Sequence, residues 1–208
     1  LVWTKSHTPG TTFPLGMTTV TYTAKDAANN VSDICSFNVT VTDNQDPAIT
    51  CPGNISVNTG TGICGAVVNY STPVGTDNCS GAITTQTAGF ASGSLFPVGT
   101  TTNTFLVTDA QGHTASCSFT VSVTDHENPT IVNLPAAITV SNDANVCGAV
   151  VSWTAPTSAD NCSGHSIAQT AGPSSGSTFP IGATTVTYTA TDAAGNTHAE
   201  SFTVTVND

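Results

Sequence analysis

The chain has 208 residues, 38% hydrophobic and only 7% charged, with two Lys+Arg against thirteen Asp+Glu and a formal charge of −11. So few cations exclude a nucleic-acid binder, because nothing is available to neutralise phosphates. No apolar run reaches the roughly 18 residues of a membrane span, and no signal-peptide pattern opens the chain. Helix-favouring Leu, Glu, Lys and Met are scarce while β-branched Thr and Val dominate, so the expected class is all-β with almost no helix. Seven cysteines point to an oxidising, extracellular setting.

Taken in chain order, Val20, Tyr22 and Ala24 alternate with Thr19, Thr21 and Thr23, and Phe37, Val39 and Val41 alternate with Asn38 and Thr40. That two-residue period marks half-buried antiparallel strands. KDAANN between them is turn-rich and suits a hairpin. Ile55 and Val57, then Ala66 to Tyr70, read as two further strands. The hairpin returns as Phe105/Val107 with Phe119/Val121/Val123 around TDAQGH, and as Val186/Tyr188/Ala190 with Phe202/Val204/Val206 around TDAAGN.

These returns follow a fixed period. FPLG begins at Phe13, FPVG at Phe96 and FPIG at Phe179, each 83 residues after the last; CGAVV at Cys64 and Cys147 and DNCSG at Asp77 and Asp160 keep the same spacing. The linker VTDNQDP, with Asp43 and Pro47, reappears as VTDHENP with Asp125 and Pro129. The expected domains are residues 1–46, the C-terminal half of one repeat, then complete repeats at 47–128 and 129–208. About seven short strands in roughly 80 residues make each unit a small immunoglobulin- or fibronectin-III-like β-sandwich. A half-repeat cannot bury its own apolar face, so the sequence is expected to be a window of a longer array. Two sources for the missing half stay open: one continuous polypeptide, or a strand taken from an identical subunit of a polymer.

The order CGAVV, DNCSG, SGSTFPIGATTVTYTATDAAGN and then CSFTVTVTD-like strands resembles the hyalin repeat, or HYR domain. Both complete repeats match over their length, and residues 1–46 match its second half. The resemblance implies an immunoglobulin-like fold in tandem, within extracellular proteins that are often adhesive or structural.

Comparing the repeats suggests disulfides. Cys51, Cys64, Cys79 and Cys117 of the second repeat correspond to Leu134, Cys147, Cys162 and Glu200 of the third. Two cysteines are lost together and two kept, so the expected bonds are Cys51–Cys117, Cys64–Cys79 and Cys147–Cys162. The second of these requires the loop from Ser71 to Asn78 to double back. Cys35 corresponds to Cys117 and has no partner within the window.

The acids also recur. Asp43, Asp46, Asp125 and Glu127 lie in linkers, Asp26, Asp109 and Asp192 in hairpin turns, and Asp77 and Asp160 in the DNCS loops. Linker and turn share one pole of such a sandwich, so calcium is a candidate at the junctions. Asp43, Asp46 and Asp109 would hold it at one, and Asp125, Glu127 and Asp192 at the next, because Ca²⁺ takes about 6–8 oxygen ligands. The alternative is that Asp and Asn serve as turn residues through their own backbone hydrogen bonds.

No catalytic constellation repeats. His7, His113, His126, His165 and His198 share no 83-residue offset, and no CxxC, P-loop, GxSxG or HExxH occurs, so enzymatic activity is not expected. Trp153 reads as packing rather than as a sugar platform. Asn30, Asn38, Asn54 and Asn69 are glycosylation candidates in N-x-Ser/Thr sequons. The expected role is a non-catalytic segment of an extracellular fibre, stalk or filament, stiffened by disulfides, whose partners are neighbouring repeats or identical subunits. The alternative is a cell-surface adhesin or carbohydrate-binding segment that contacts surface glycans through loops at the domain poles.

Overall fold

The computed structural model describes residues 1–208, which form seventeen β-strands and no helix. Residues 1–46 contribute β1 (Val2–Lys5), β2 (Gly16–Lys25) and β3 (Cys35–Val41), an antiparallel sheet in that order. The second repeat supplies β4 (Ile55–Asn58), β5 (Gly65–Val68), β6 (Ile83–Ala88), β7 (Ser94–Pro97), β8 (Gly99–Thr108) and β9 (Thr114–Thr124). They form one sheet in the order β4-β9-β8-β6 and a second sheet of β5 with β7.

The third repeat contains β10 (Thr130–Val132), β11 (Ile138–Ser141), β12 (Gly148–Val151), β13 (Thr157–Ala159), β14 (Ser166–Ala171), β15 (Ser177–Pro180), β16 (Gly182–Thr191) and β17 (Thr197–Asn207). It repeats the pattern as β11-β17-β16-β14 and β12-β15, and β10 pairs with β13. In both repeats the first strand of the larger sheet runs parallel to the last, whereas β5 with β7, β12 with β15, and β16 with both β14 and β17 pair antiparallel.

The chain divides into two compact units. One holds Leu1–Thr50, Pro73–Thr85 and Leu106–Cys117; the other holds Cys51–Thr72, Gln86–Phe105 and Ser118–Asp208. In the second unit the third repeat has a continuous core of Ala149, Val151, Phe179, Val186, Tyr188, Phe202, Val204 and Val206. The strict alternation along β16 and β17 puts these side chains inward and the Thr residues outward. Each fully buried Phe, Val or Tyr contributes about 1.5–3 kcal/mol. Trp153 lies against the same core: its ring meets Phe179 and Phe202 at 5.8 and 5.2 Å, and its Nε1–H donates to the Tyr188 hydroxyl at 2.9 Å. The Trp is therefore a packing residue.

The glycine opening each GAVV strand is set by close approach. A Cβ on Gly65 would lie 2.5 Å from the Phe96 carbonyl oxygen, and one on Gly148 would lie 2.4 Å from that of Phe179. Any side chain there would push β5 off β7, or β12 off β15.

In the first unit the sheet β1-β2-β3 buries Val20 but leaves Phe37 52% exposed. Its counterpart in the second repeat, Phe119, is 3% exposed, because there a second sheet covers that face.

Candidate functional site: the junction between repeats

The linker from Val123 to Pro129 does more than connect. Just beyond it, β10 pairs antiparallel with β13, Thr130 opposite Ala159, which brings the DNCS loop of the third repeat against the linker. Sequence reading missed this pairing, since β10 and β13 have only three residues each and show no usable periodicity. The first unit has the same arrangement in miniature, an isolated bridge in which Ala48 and Thr76 exchange two backbone hydrogen bonds of 2.8 Å.

Asp125 is 4% exposed at the centre of the junction in the second unit. Its Oδ1 accepts from Thr59 Oγ1 at 3.2 Å, from the Glu127 N–H at 3.1 Å and, at a long 3.5 Å, from Asn161 Nδ2. Asn161 Nδ2 also donates to the Ile63 carbonyl at 3.2 Å, and the Glu127 carboxylate accepts the Gly62 N–H at 2.8 Å. Asn196, in the β16–β17 turn, donates to the carbonyls of Asp125 and Glu127 at 3.2 and 3.3 Å. Four segments of consecutive repeats thus converge: the loop before β5, the linker, the DNCS loop and the hairpin turn.

At this convergence Cys64 is disulfide-bonded to Cys162, with Cα atoms 4.8 Å apart and a sequence separation of 98. The expected bonds Cys64–Cys79 and Cys147–Cys162 do not form; Cys79 and Cys147 are free thiols. The reason is the length of a sandwich. Cys147 precedes β12, whose first residue faces Pro180 just before β16 begins, at the trailing pole where β17 leaves the domain. Cys162 lies beside the turn at the far end of β16, where a Cβ on Gly164 would meet Ala193 at 3.2 Å. The ten residues of β16 span about 33 Å at about 3.3 Å each, far beyond the roughly 7 Å Cα separation a disulfide tolerates. The two cysteines of one repeat face opposite neighbours. Cys51 and Cys117 are each disulfide-bonded, and Cys35 is a free, exposed thiol.

The acids divide into two sets. Asp43, Asp77 and Cys79 hold potential ligand atoms within 4.8 Å of one another in the first unit, and Asp125, Asp160 and Cys162 do so in the second. In both DNCS loops the Asp Oδ2 accepts the N–H of the cysteine two residues on, at 2.8 Å, while Oδ1 is buried without a hydrogen-bond partner, as is Asn161 Oδ1. Asp43 accepts the Gln45 N–H at 3.1 Å, and Asp46 is exposed. The Cys79 thiol has its pKa raised by its hydrogen bond to Asp43, then by burial, and then by the charges of Asp43, Asp77 and Asp109.

Asp109 and Asp192 lie outside these groups, and each organises its own hairpin turn. Asp109 accepts the N–H groups of Gln111 and His113 at 2.9 and 2.8 Å and sits 2.7 Å from His113 Nδ1. Asp192 accepts the Asn196 N–H and side-chain amide, both at 2.7 Å. Burial opposes ionisation of both carboxyls, but these bonds outweigh it and leave each pKa below the ordinary value. The His113 pKa is raised, first by its bond to Asp109 against the opposing effect of burial. A carboxylate with a lowered folded pKa contributes stability above its unfolded pKa and loses it as pH falls through the folded value. Wild-type protein is therefore expected to lose stability progressively below about pH 4. Asp192→Asn should lower the urea midpoint at pH 7 but bring it close to wild type at pH 2.5; a constant difference between the two would remove Asp192 from the acid response.

The remaining histidines are held by near neighbours: His7 by Ser6, His126 by the Asp125 carbonyl, His165 by Ser158 and His198 by Glu200. Asn30, Asn38, Asn54 and Asn69 are all exposed. No helix is long and apolar enough to cross a membrane.

Comparison with known proteins identifies the family. The HYR domain model matches residues 1–41, 42–123 and 124–206. Hyalin of Strongylocentrotus purpuratus is 40% identical over 208 residues, covering 98% of this chain and 17% of its own length. Hyalin of Lytechinus variegatus is 34% identical, covering all of this chain and 39% of its own. The mouse sushi, von Willebrand factor type A, EGF and pentraxin domain-containing protein 1 is 35% identical over 153 residues, 72% of this chain and 4% of that protein. The chain thus spans well under half the length of these relatives. Among solved structures, Drosophila N-cadherin repeats EC1-4 align over 94% of this chain and 59% of their own at 14% identity, with a TM-score of 0.39. With three successive matches over an all-β chain of immunoglobulin-like sandwiches, the protein belongs to the HYR domain family of extracellular, non-catalytic repeat modules.

Proposed function

We propose that this chain is a load-bearing segment of an extracellular fibre or stalk, in which consecutive repeats are locked at their junctions. The observation that carries the reading is the Cys64–Cys162 bond between successive repeats, set among the hydrogen bonds that tie the loop before β5 to the linker and the DNCS loop. A covalent link at a junction resists bending and separation, whereas a link within one repeat would stabilise that repeat alone. Cys51 and Cys117 are oxidised as well. Partners would be neighbouring repeats or identical subunits. Exposed sequons at Asn30, Asn38, Asn54 and Asn69 could carry glycan without disturbing the core.

Calcium belongs to the same proposal, with a redrawn ligand set. Asp125, Asp160 and the partnerless Oδ1 of Asn161 are hard oxygen donors at one junction, and Asp43 and Asp77 are their counterparts at the other. Asp46 and Glu127 lie nearby in the linkers, while Asp109 and Asp192 are committed to their turns. The sulfur in each group favours oxygen ligation, because Cys162 is in a disulfide and the raised pKa of Cys79 keeps its thiol protonated. So few protein oxygens leave much of the shell to water, which places affinity in the range of about 10⁻⁴–10⁻³ M typical of extracellular modules.

Small-angle scattering of the full chain tests both parts. A maximum dimension that stays long when oxidised, and shortens or broadens on reduction, supports the covalent junction. A further change on replacing millimolar calcium with chelator supports the cation. Identical profiles in all conditions would overturn the load-bearing reading.

A further inference from the structure

Cys79 and Cys147 are the two halves of the bond that Cys64 and Cys162 make. Cys147 stands one period after Cys64, and its loop has the same backbone pattern. Asp143 N–H donates to the Gly148 carbonyl at 2.7 Å and Val146 N–H to that of Asp143 at 3.0 Å; Gly60 to Gly65 and Ile63 to Gly60 do the same at 2.8 and 2.9 Å. The surrounding pole repeats as well. Thr59 donates through its N–H to the Thr124 carbonyl and through Oγ1 to Asp125, while Asn142 donates through its N–H to the Asn207 carbonyl and through Nδ2 to Asp208. Cys79 in turn reproduces Cys162, with its N–H on the Asp two residues before it and with the linker bridged to the strand just upstream.

Among the cysteines of the GAVV and DNC segments, Cys64 and Cys162, where both halves occur in one chain at adjoining poles, are joined, and Cys79 and Cys147 are not. We infer that every junction between HYR repeats of this type carries one disulfide, from the cysteine before GAVV at the trailing pole of one repeat to the DNC cysteine at the leading pole of the next. Cys147 and Cys79 are then the attachment points for a following and a preceding HYR repeat. A tandem array built this way is one continuous covalent ladder, stapled across each domain boundary in addition to its peptide bonds. The inference rests on the Cys64–Cys162 bond and not on the fibre reading.

Formation needs a small-molecule disulfide as oxidant. The Cys147 thiolate attacks one of its sulfurs and expels a thiolate, leaving a mixed disulfide. The leading-pole cysteine, as thiolate, then attacks the Cys147 sulfur and expels the second. Two protein thiols become one disulfide, and the two electrons and two protons leave on two small thiols.

The test has two arms, both mapped without reduction after alkylation of free thiols and cleavage before Asp, since residues 26–208 contain no Lys or Arg for trypsin. In the native chain the peptide 46–76, carrying Cys51 and Cys64, is expected joined to peptide 160–191, and peptide 143–159 with Cys147 is expected alkylated. A 143–159 peptide joined to 160–191 in the native chain would overturn the inference without any variant. In the second arm a copy of residues 126–208 is appended after Asp208, with the copy's own Cys147 changed to serine and its Ser166 to alanine, so that its peptides differ in mass from the native ones. Cys147 is expected to become protected, joined to the DNC peptide of the added repeat, and to become alkylatable again when that added cysteine is serine. Circular dichroism confirms that the added repeat is folded. Cys147 still fully alkylated beside a folded added repeat would overturn the inference, while leaving the scattering test of the fibre reading unaffected.

Discussion

Replacing Cys64 with serine and Cys162 with alanine together is expected to lower the unfolding free energy of the second unit by about 4–5 kcal/mol, the chain-entropy value for a closed loop near 100 residues. The bond spans 98 residues of sequence, so its loss releases more than one full repeat in the unfolded chain. With a urea slope of about 1–3 kcal/mol/M, the midpoint should fall by roughly 1.3–5 M. The core of the third repeat contains neither sulfur and should keep its native near-ultraviolet signal from Trp153. Alanine rather than serine is chosen at 162 because that side chain is 8% exposed, and a buried hydroxyl would add its own cost. A midpoint unchanged from wild type would mean that the junction is already held by its hydrogen bonds and that the disulfide adds nothing to equilibrium stability.

Asn103→Val is expected to destabilise the second repeat by about 1–3 kcal/mol, the cost of leaving a buried donor unsatisfied, although it replaces a fully buried polar side chain with an apolar one. Asn103 Oδ1 accepts the Phe90 N–H at 2.9 Å and Gln86 Nε2 at 3.2 Å. One period later the same two places hold Pro173 and Val186. Proline has no N–H, so no acceptor is needed and the core position becomes apolar. The glycine before each, Gly89 and Gly172, has φ +85 and lies against that core residue, a backbone shape that only glycine takes freely. A double-mutant cycle with Phe90→Pro isolates the effect. Asn103→Val should cost markedly less in the Phe90→Pro background, and equal costs in both backgrounds would show that the Phe90 N–H is not what Asn103 serves.

This Asn/Phe against Val/Pro exchange was visible in the sequence only as two unlike residues at matched positions. Its meaning came from a hydrogen bond between β8 and the loop before β7, 13 residues apart. The acids show the same limit. Their recurrence in linkers, turns and DNCS loops was legible, because turn chemistry is local. Which of them meet was not. The hairpin acids Asp109 and Asp192 spend their oxygens on their own turns, and the linker acids Asp43 and Asp125 face Asp77 and Asp160 instead. That outcome follows from the β10–β13 pairing and the Ala48–Thr76 bridge, elements too short to leave a periodic trace.

The sequence by itself determined the 83-residue period, the all-β class and the inward and outward faces of the long strands, because each depends on residues close together in the chain. Tertiary structure decided which distant partners meet. Matching cysteines by repeat position suggested bonds within a repeat, but a sandwich about 33 Å long holds Cys147 and Cys162 at opposite poles, and Cys64 closes on Cys162 of the next domain. The three FPxG segments show the same division most simply. Ser94–Pro97 and Ser177–Pro180 are strands because β5 and β12 lie beside them, whereas residues 13–15 of the first copy pair with no strand and form none. A strand's hydrogen bonds belong to two segments at once, so its sequence proposes it and its neighbour completes it.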